Sequence, residues 1–226
     1  MMEVIVITEG QTEEAFIKHV IAPSVHNQNI FVKPLLLNTS KDSKGGALNY
    51  DRFKFNARNT LRTKGSPVVT SFIDLYALDT QFPGVQHIHA LNNVYQKVDI
   101  LEQELSAAII EYVGCSSDRF RPHIQPYEFE GILFSDCESL ISVETDWQES
   151  QQEIQSVINA FESPEHINNS YETKPSARLK NILTPKYKKT RHGPIIAKSI
   201  GLNVIESKCL HFKSWMDWLR GLQCDN

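Results

Sequence analysis

The stretch Glu3-Val4-Ile5-Val6-Ile7-Thr8-Glu9-Gly10-Gln11-Thr12-Glu13-Glu14 decides the fold of this chain. Its apolar run, Val4 to Ile7, is rich in β-branched residues and ends abruptly at a polar residue, which is typical of a buried strand that reaches the rim of a sheet. Glu9 therefore follows the carboxyl end of a strand. In an open α/β sheet, ligands bind in the crevice beyond these strand ends, so position alone makes Glu9 a candidate site residue.

The residues after Glu9 predict the start of a helix. Gly10 lets the backbone turn sharply, and Thr12 is a candidate N-cap. Glu13 and Glu14 then fall in the first turn, where carboxylates stabilise the helix dipole, and this is the simpler interpretation of Glu14. The stretch thus predicts a strand and a helix that gather carboxylates at one rim.

Two further apolar runs, 30–37 and 67–73, read as strands. Asp74 follows the second run as Glu9 follows the first strand. Carboxylates at the ends of two parallel strands predict a cation site, because Mg²⁺ is commonly held by one or two carboxylates together with water and phosphate oxygens. The alternative is that Asp74 is a cap or turn residue.

The rest of the chain predicts an α/β fold, a mostly parallel sheet flanked by helices, with a helical C-terminal portion. Residues 38–46 read as a loop in which Gly45-Gly46 could approach a phosphate, although a flexible turn is the simpler interpretation. Prolines interrupt a short edge strand at 121–126. We expect an α/β core at 1–140 and a basic helical extension at 141–226 packed on it. Apolar spacing predicts helices at 50–62, 91–112, 131–140, 154–161, 176–183, 195–200 and 208–222.

A second acidic stretch, Glu128-Phe129-Glu130, follows the edge strand. If this stretch is extended, Glu128 and Glu130 share a face, with Phe129 buried on the opposite side. If a helix begins at once, the two carboxylates diverge and only one reaches the site.

Length and composition bound the class of protein. At 226 residues and 41% hydrophobic composition, the chain can bury a full core as one compact unit. No apolar run approaches the roughly 18 residues of a membrane span, and no basic and apolar leader opens the sequence, so we expect a cytoplasmic protein. The four cysteines form no Cys-x-x-Cys pair and are expected to be reduced thiols.

The charges are segregated along the chain, although the net charge is only −4. Residues 122–173 hold eleven acidic residues and no Lys or Arg, whereas 174–198 hold eight basic residues and no acidic one. Residues 33–64 hold eight basic residues against two acidic ones. This pattern predicts an acidic cation site and basic surfaces for a polyanion, unless these are ordinary solvated faces.

The most basic run, Lys186 to Gly193, contains Tyr187, a composition suited to phosphate contacts and stacking on a base. Because no acidic residue interrupts 174–198, we expect this segment to contact a nucleic-acid backbone rather than form ion pairs within the protein. The predicted nucleic-acid-binding residues are Lys174, Arg178, Lys186, Lys188, Lys189 and Arg191.

At these residues the chain resembles a known family. Glu9-Gly10-Gln11-Thr12-Glu13 after an apolar strand resembles the opening motif of Toprim domains, the metal-dependent catalytic fold of topoisomerases, primases and overcoming-lysogenization-defect nucleases. Over nearly its whole length the chain resembles the bacterial domain of unknown function family 4276, commonly regarded as Toprim-like. The further matches are Ile73-Asp74-Leu75-Tyr76, Phe82-Pro83-Gly84, Glu128 to Asp136, Pro164 to Asn168, Lys174 to Leu179, and Cys209 to Phe212 with Trp215.

The resemblance implies a Toprim-like Mg²⁺- or Mn²⁺-dependent endonuclease. Its substrate would be DNA or RNA, its partner a separately encoded ATPase in an antiphage defence system, and a homo-oligomer is left open. We expect the metal to be held by Asp74 and Glu130, with Glu128 as a further ligand, and Glu9 to act as metal ligand or as general acid or base. Glu130 is the firmer choice of the pair, because the second glutamate of this motif recurs in the family. The predicted catalytic residues are Glu9, Asp74 and Glu130.

One position departs from the broad Toprim pattern, which has two aspartates one residue apart. This chain has Asp74 but Tyr76 at the second position. Asp79 could substitute from the loop, Glu128 or Glu130 could supply the missing ligand, which we prefer, or the site could be catalytically weak. The last case makes the alternative function a nucleic-acid-binding or ATPase-regulating module. A nucleotide-binding phosphotransferase is disfavoured, since no Walker lysine motif is present.

Overall fold

The computed structural model describes residues 2–37, 48–168 and 170–222. Within these ranges five strands form one sheet in the order β2-β1-β3-β4, with the short β5 also paired to β3, and every pair is parallel. The expected mostly parallel α/β fold is confirmed. The strands are β1 (Met2–Thr8), β2 (Ile30–Leu36), β3 (Val68–Asp74), β4 (Phe120–Arg121) and β5 (Ile124–Gln125).

Helices flank the sheet on both sides. The first, α1 (Gln11–Phe16), continues through a π-helical turn at Ile17–Ile21 into α2 (Ala22–Val25). The others are α3 (Tyr50–Leu61), α4 (Val94–Val113), α5 (Cys137–Ile141), α6 (Gln151–Asn159), α7 (Pro175–Ile182), α8 (Lys189–Ile200), α9 (Leu202–Lys208) and α10 (Leu210–Gly221).

Several predicted boundaries are wrong in informative ways. Gly10, not Thr12, is the N-cap residue of α1, and Thr12 is buried in the first turn. A 3-10 helix, Phe129–Ser135, precedes α5 where one helix was expected over 131–140. The expected helix at 208–222 is α10 with part of α9 before it, and α8 begins well before residue 195.

Apolar residues cover both faces of the sheet, and β3 is buried along its whole length. On one face α3 and α4 pack against the sheet. On the other, the rings of Phe16, Phe72, Phe129 and Phe212 lie 5.1 to 6.3 Å apart, so α1 and α10 share one aromatic core. The C-terminal helices therefore complete the core of the N-terminal sheet, and the division at residue 140 stays a prediction.

Glu165, in the motif Pro164 to Asn168, stabilises the fold and does not belong to a site at the strand ends. Glu165 is fully buried, and its carboxylate accepts hydrogen bonds from the backbone N–H groups of His211 and Phe212, both at 3.0 Å. The Tyr95 hydroxyl donates a third at 2.9 Å. Because these N–H groups lie in the first turn of α10, Glu165 satisfies donors that the helix itself cannot.

Two smaller expectations can be compared with the structure, and a third concerns residues outside the described ranges. Of the cysteines, Cys115, Cys137 and Cys209 are free thiols, and Cys224 lies outside the described residues. Gly45-Gly46 also lies outside them. None of the helices in the described ranges combines the length and apolar character that a membrane crossing requires.

Candidate metal centre

Carboxylates from distant parts of the chain meet beyond the carboxyl end of β3. Asp74 is the last residue of β3, and Glu128 and Glu130 flank Phe129 at the start of the 3-10 helix. One carboxylate oxygen from each of these three acidic residues lies within 4.8 Å of the others, and all three residues are buried. The Phe129 N–H donates to Oδ1 of Asp74 at 2.7 Å, which fixes one segment against the other. This group has the ligand number and the oxygen chemistry of a divalent cation site.

Both glutamates of the Glu128-Phe129-Glu130 stretch reach the cluster although a helix begins at Phe129. Glu128 is still extended, with φ −142° and ψ 151°, and the helix that follows is 3-10 in type. The expectation that an immediate helix would separate the two carboxylates is therefore wrong. Phe129 is buried in the aromatic core, as the pattern predicts.

Glu9 joins this cluster from the neighbouring strand. Its Oε2 atom is buried and has no hydrogen-bond partner among the described residues. Burial, together with the negative charges of Glu13 and Glu130, raises the pKa of Glu9 to about 8 against the opposing effect of Lys189. A buried carboxylate oxygen without a donor is costly, so this atom fits a position where a proton or a cation is needed.

Glu13 is a member of the cluster that the sequence places near the rim but that was not among the predicted site residues. It is 4% exposed, and its pKa is raised to about 7 by burial and by the charge of Glu130. Gly10 makes room for it, because a Cβ there would lie 2.5 Å from Oε2 of Glu13. The available signal was the spacing: a glycine three residues before the glutamate lets that side chain fold back towards the rim.

The cluster holds carboxylates of two kinds. Burial raises the pKa of Asp74 and of Glu130, and neighbouring carboxylates add to the effect. Burial acts on Glu128 in the same direction, but Lys189 and the hydrogen bonds from Ser176 outweigh it and hold the pKa of Glu128 below its ordinary value. Ser176 donates from its N–H at 2.9 Å and from its hydroxyl at 3.0 Å. Glu128 is thus the carboxylate that stays ionised most readily.

Lys189 lies inside the acidic cluster rather than on a basic surface. Its Nζ atom is 3.0 Å from Oε2 of Glu130 and 3.6 Å from Oε1 of Glu128. Burial would lower the pKa of Lys189, but Glu130, Asp74 and Glu128 outweigh burial and raise it. The ammonium therefore stays charged among the carboxylates.

A close helix contact brings Lys189 there. A Cβ at Gly193 would lie 2.9 Å from Cγ2 of Thr12 and 3.0 Å from both Phe129 and Tyr187, so a larger residue would force α8 away from α1. Tyr187 is 2% exposed and donates from its hydroxyl to Oε1 of Glu130 at 3.3 Å. The prediction that Tyr187 stacks on a base is wrong, because the ring is enclosed by protein.

The expectation that 174–198 forms no internal ion pairs is also wrong. Besides Lys189, Lys174 lies 3.0 Å from Oε1 of Glu128, and Arg191 lies 2.6 Å from Oε1 of Glu144. Arg178 donates to the Thr173 carbonyl at 2.6 Å, with its guanidinium 5.2 Å from the Phe161 ring centre. Lys186 and Lys188 are exposed. Binding of nucleic acid by any of these residues stays a prediction.

The structure can be compared with the three alternatives raised by Tyr76, which stands where the Toprim pattern has a second aspartate. Tyr76 is 41% exposed, and its ring centre lies 5.7 Å from that of Tyr127. Asp79 accepts hydrogen bonds from the N–H groups of Tyr50 and Gln81 and so organises its own loop. Of the carboxylates named in these alternatives, Glu128 and Glu130 lie beside Asp74.

Comparison with known proteins gives a family but no activity. A family profile described as a domain of unknown function, DUF4276, matches residues 8–220, which is nearly the whole chain. No curated protein and no solved structure matches the chain.

Proposed function

Because this chain belongs to the DUF4276 family, whose description names no activity, we propose its function from its own residues: Mg²⁺- or Mn²⁺-dependent hydrolysis of phosphodiester bonds in nucleic acid. The observation that carries the proposal is the buried group of Asp74, Glu128 and Glu130, within 4.8 Å of one another at a strand-end rim. The relationship to Toprim nucleases is part of this proposal and rests on the resemblance of the motifs.

The residues fit a hard divalent cation. The donor set is all oxygen, which suits Mg²⁺ and Mn²⁺ better than softer metals. Asp74 and Glu130 would hold the ion, with Glu128 beside them. The unpartnered Oε2 of Glu9 is either a further donor to the ion or the atom that carries a proton. When bound, such an ion neutralises charge on a phosphate and stabilises the leaving oxygen.

Glu9 supplies the proton chemistry in this proposal. A general acid or base works best when its pKa lies near the operating pH, and burial raises the pKa of Glu9 to about 8. Glu9 can therefore hold a proton at neutral pH and pass it to a departing oxygen, or take one from an attacking water. Glu13, whose pKa is raised to about 7, lies near enough for its charge to raise the pKa of Glu9.

Lys189 contributes a fixed positive charge at the same rim. Its ammonium is held by Glu130 and Glu128 and stays protonated, so it can attract a phosphate. The same charge competes with a cation for Glu130.

We expect Lys189→Met to raise the affinity for Mn²⁺ by about tenfold to a hundredfold, because an ion no longer has to displace a charged hydrogen bond of roughly 1.5 to 3 kcal/mol. Isothermal titration calorimetry of the metal-free protein measures this change. Lys188→Met is the matched control, since Lys188 is the exposed neighbour. Equal affinity in wild type and Lys189→Met would show that the cation binds elsewhere.

The nucleic-acid part of the proposal rests on the exposed basic residues near this rim. Each phosphate contact releases counterions, so Lys186→Ala/Lys188→Ala should flatten the slope of log affinity against log salt by roughly 2 units. Fluorescence anisotropy with a short duplex and a single strand, in an Asp74→Asn background that cannot cleave, measures the slope. Lys180→Ala/Lys198→Ala serves as the matched control. An unchanged slope on both ligands would assign Lys186 and Lys188 to another partner.

The alternative function is a catalytically weak module that binds nucleic acid or regulates an ATPase. Two points favour it: Tyr76 stands where the broad Toprim pattern has an aspartate, and Lys189 already balances part of the cluster's charge. Incubating the purified protein with supercoiled plasmid and with RNA, with Mn²⁺ or with chelator, separates the two functions. Metal-dependent cleavage supports the nuclease. Binding without cleavage supports the module, whose separately encoded ATPase partner and role in antiphage defence are expectations from the resemblance.

A further inference from the structure

A second group of metal-ligand side chains lies where α4 and α10 meet the β4–β5 edge of the sheet. It is separate from the acidic rim, the cluster of Asp74, Glu128 and Glu130. It consists of Glu102 in α4, His123 between β4 and β5, and His211 in α10. Nε2 of His211 is 2.8 Å from Oε1 of Glu102, and Nδ1 of His123 is 3.8 Å from the same oxygen. One ligand atom of each residue lies within 4.8 Å of the others.

We propose that Glu102, His123 and His211 form a binding site for a zinc-class divalent ion, distinct from the Mg²⁺- or Mn²⁺-type acidic rim. Two imidazole nitrogens and one carboxylate oxygen are a donor set that Zn²⁺ takes in proteins, with a water molecule in the remaining position. Hard ions such as Mg²⁺ prefer oxygen ligands, so the two sites would select different metals.

The orientation of His123 supports this assignment. Nε2 of His123 is 3.3 Å from Oε1 of Gln125, and in the tautomer in which Nε2 donates to that oxygen, Nδ1 carries the lone pair that a metal ion needs. That lone pair faces a carboxylate oxygen of Glu102, another acceptor. A metal ion bound to both of these acceptors would remove the repulsion between them. A histidine ligand held by an outer hydrogen bond of this kind is the usual arrangement around a protein-bound metal.

The surroundings leave room for an ion and hold the ligands rigidly. A cavity of about 50 Å³ is lined by all three ligands together with Asp99 and Ser214. The His123 ring is 1% exposed and stacks on the rings of His211, at 4.9 Å, and Trp215, at 5.1 Å. Arg121 also lines the cavity, but its guanidinium lies over the Trp218 ring, 5.5 Å from its centre.

Binding of the metal ion would displace the proton that His211 and Glu102 share. Oε1 of Glu102 accepts a hydrogen bond from the Ile124 N–H at 2.7 Å and contacts Nε2 of His211 at 2.8 Å. The ion would take the place of the proton between Nε2 and Oε1, and that proton would leave to solvent. Since the three ligands come from α4, the sheet edge and α10, the ion would link elements that are far apart in sequence.

Calorimetric titration of the metal-free, full-length protein with Zn²⁺, in millimolar Mg²⁺ to fill the acidic rim, tests the site. We expect one equivalent of Zn²⁺ to bind and to raise the melting temperature. Glu102→Gln and His211→Gln should each lose this binding, while Asp74→Asn should keep it. Gln125→Leu, which removes only the outer hydrogen bond to His123, should weaken binding by about tenfold to a hundredfold.

The substitutions allow a clear negative result. Glutamine at position 102 keeps an oxygen to accept the Ile124 N–H, so Glu102→Gln carries the test if His211→Gln fails to fold by circular dichroism. Absence of bound Zn²⁺ in the wild type would overturn the proposal. Equal Zn²⁺ affinity in wild type and Glu102→Gln would also overturn it.

Discussion

Asp74→Asn is expected to abolish metal-dependent cleavage while the protein stays folded. A bound divalent ion lowers the barrier to phosphodiester hydrolysis by several kcal/mol. Since each 1.36 kcal/mol is tenfold in rate, the cleavage rate should fall by about a thousandfold or more. The fold is preserved because asparagine keeps the Oδ1 oxygen that accepts the Phe129 N–H. Removing one charge from a crowded acidic cluster also relieves repulsion.

The measurement is the initial rate of plasmid and RNA cleavage at saturating Mn²⁺, with calorimetry of Mn²⁺ binding on the same samples. Glu130→Gln should behave in the same way. Asp79→Asn is the matched control, because it makes the same chemical change on a neighbouring loop whose aspartate serves backbone N–H groups. If Asp74→Asn cleaves as fast as wild type, the metal assignment is wrong.

The metal-free protein is expected to lose stability as the pH rises from about 6 to 9. Glu9 keeps its proton in the folded state up to a pH of about 8, whereas an unfolded glutamate releases it near pH 4.3. Between these values the folded state binds more protons than the unfolded state, so a rise in pH favours unfolding. Glu13, at about 7, adds in the same direction. At roughly 1.4 kcal/mol per pKa unit, the loss should amount to a few kcal/mol.

Urea denaturation in the presence of chelator, at several pH values, measures this loss as a change in the free energy of unfolding. Glu9→Gln should flatten the curve, since it removes the buried acid that must ionise. Glu14→Gln, which changes a half-buried glutamate in α1, should follow the wild type. Adding Mg²⁺ at pH 9 should restore stability by mass action. A wild-type protein that gains stability over this range would refute the linkage.

The sequence by itself determined which strand ends carry the acidic residues of the site. The strand ends at Glu9 and Asp74 were predictable because a buried parallel strand is a local signal: a short β-branched run that stops at a charged residue. Parallel strands end at one rim, so the convergence of these two carboxylates followed from topology. The helix predicted at 50–62 succeeded for a similar reason, since its spacing of apolar residues records which face is buried.

Only the tertiary structure decided which charges meet. The sequence gives no sign that Lys189 lies against Glu130, 59 residues away, instead of facing solvent with Lys186 and Lys188. That outcome depends on the close approach of α8 to α1 at Gly193, and on a buried acidic group strong enough to offset the burial of an ammonium. Hydrophobic periodicity records burial one element at a time. The partner of a buried charge depends on how the elements pack against one another. A run of lysines has the same sequence pattern whether it faces water or carboxylates.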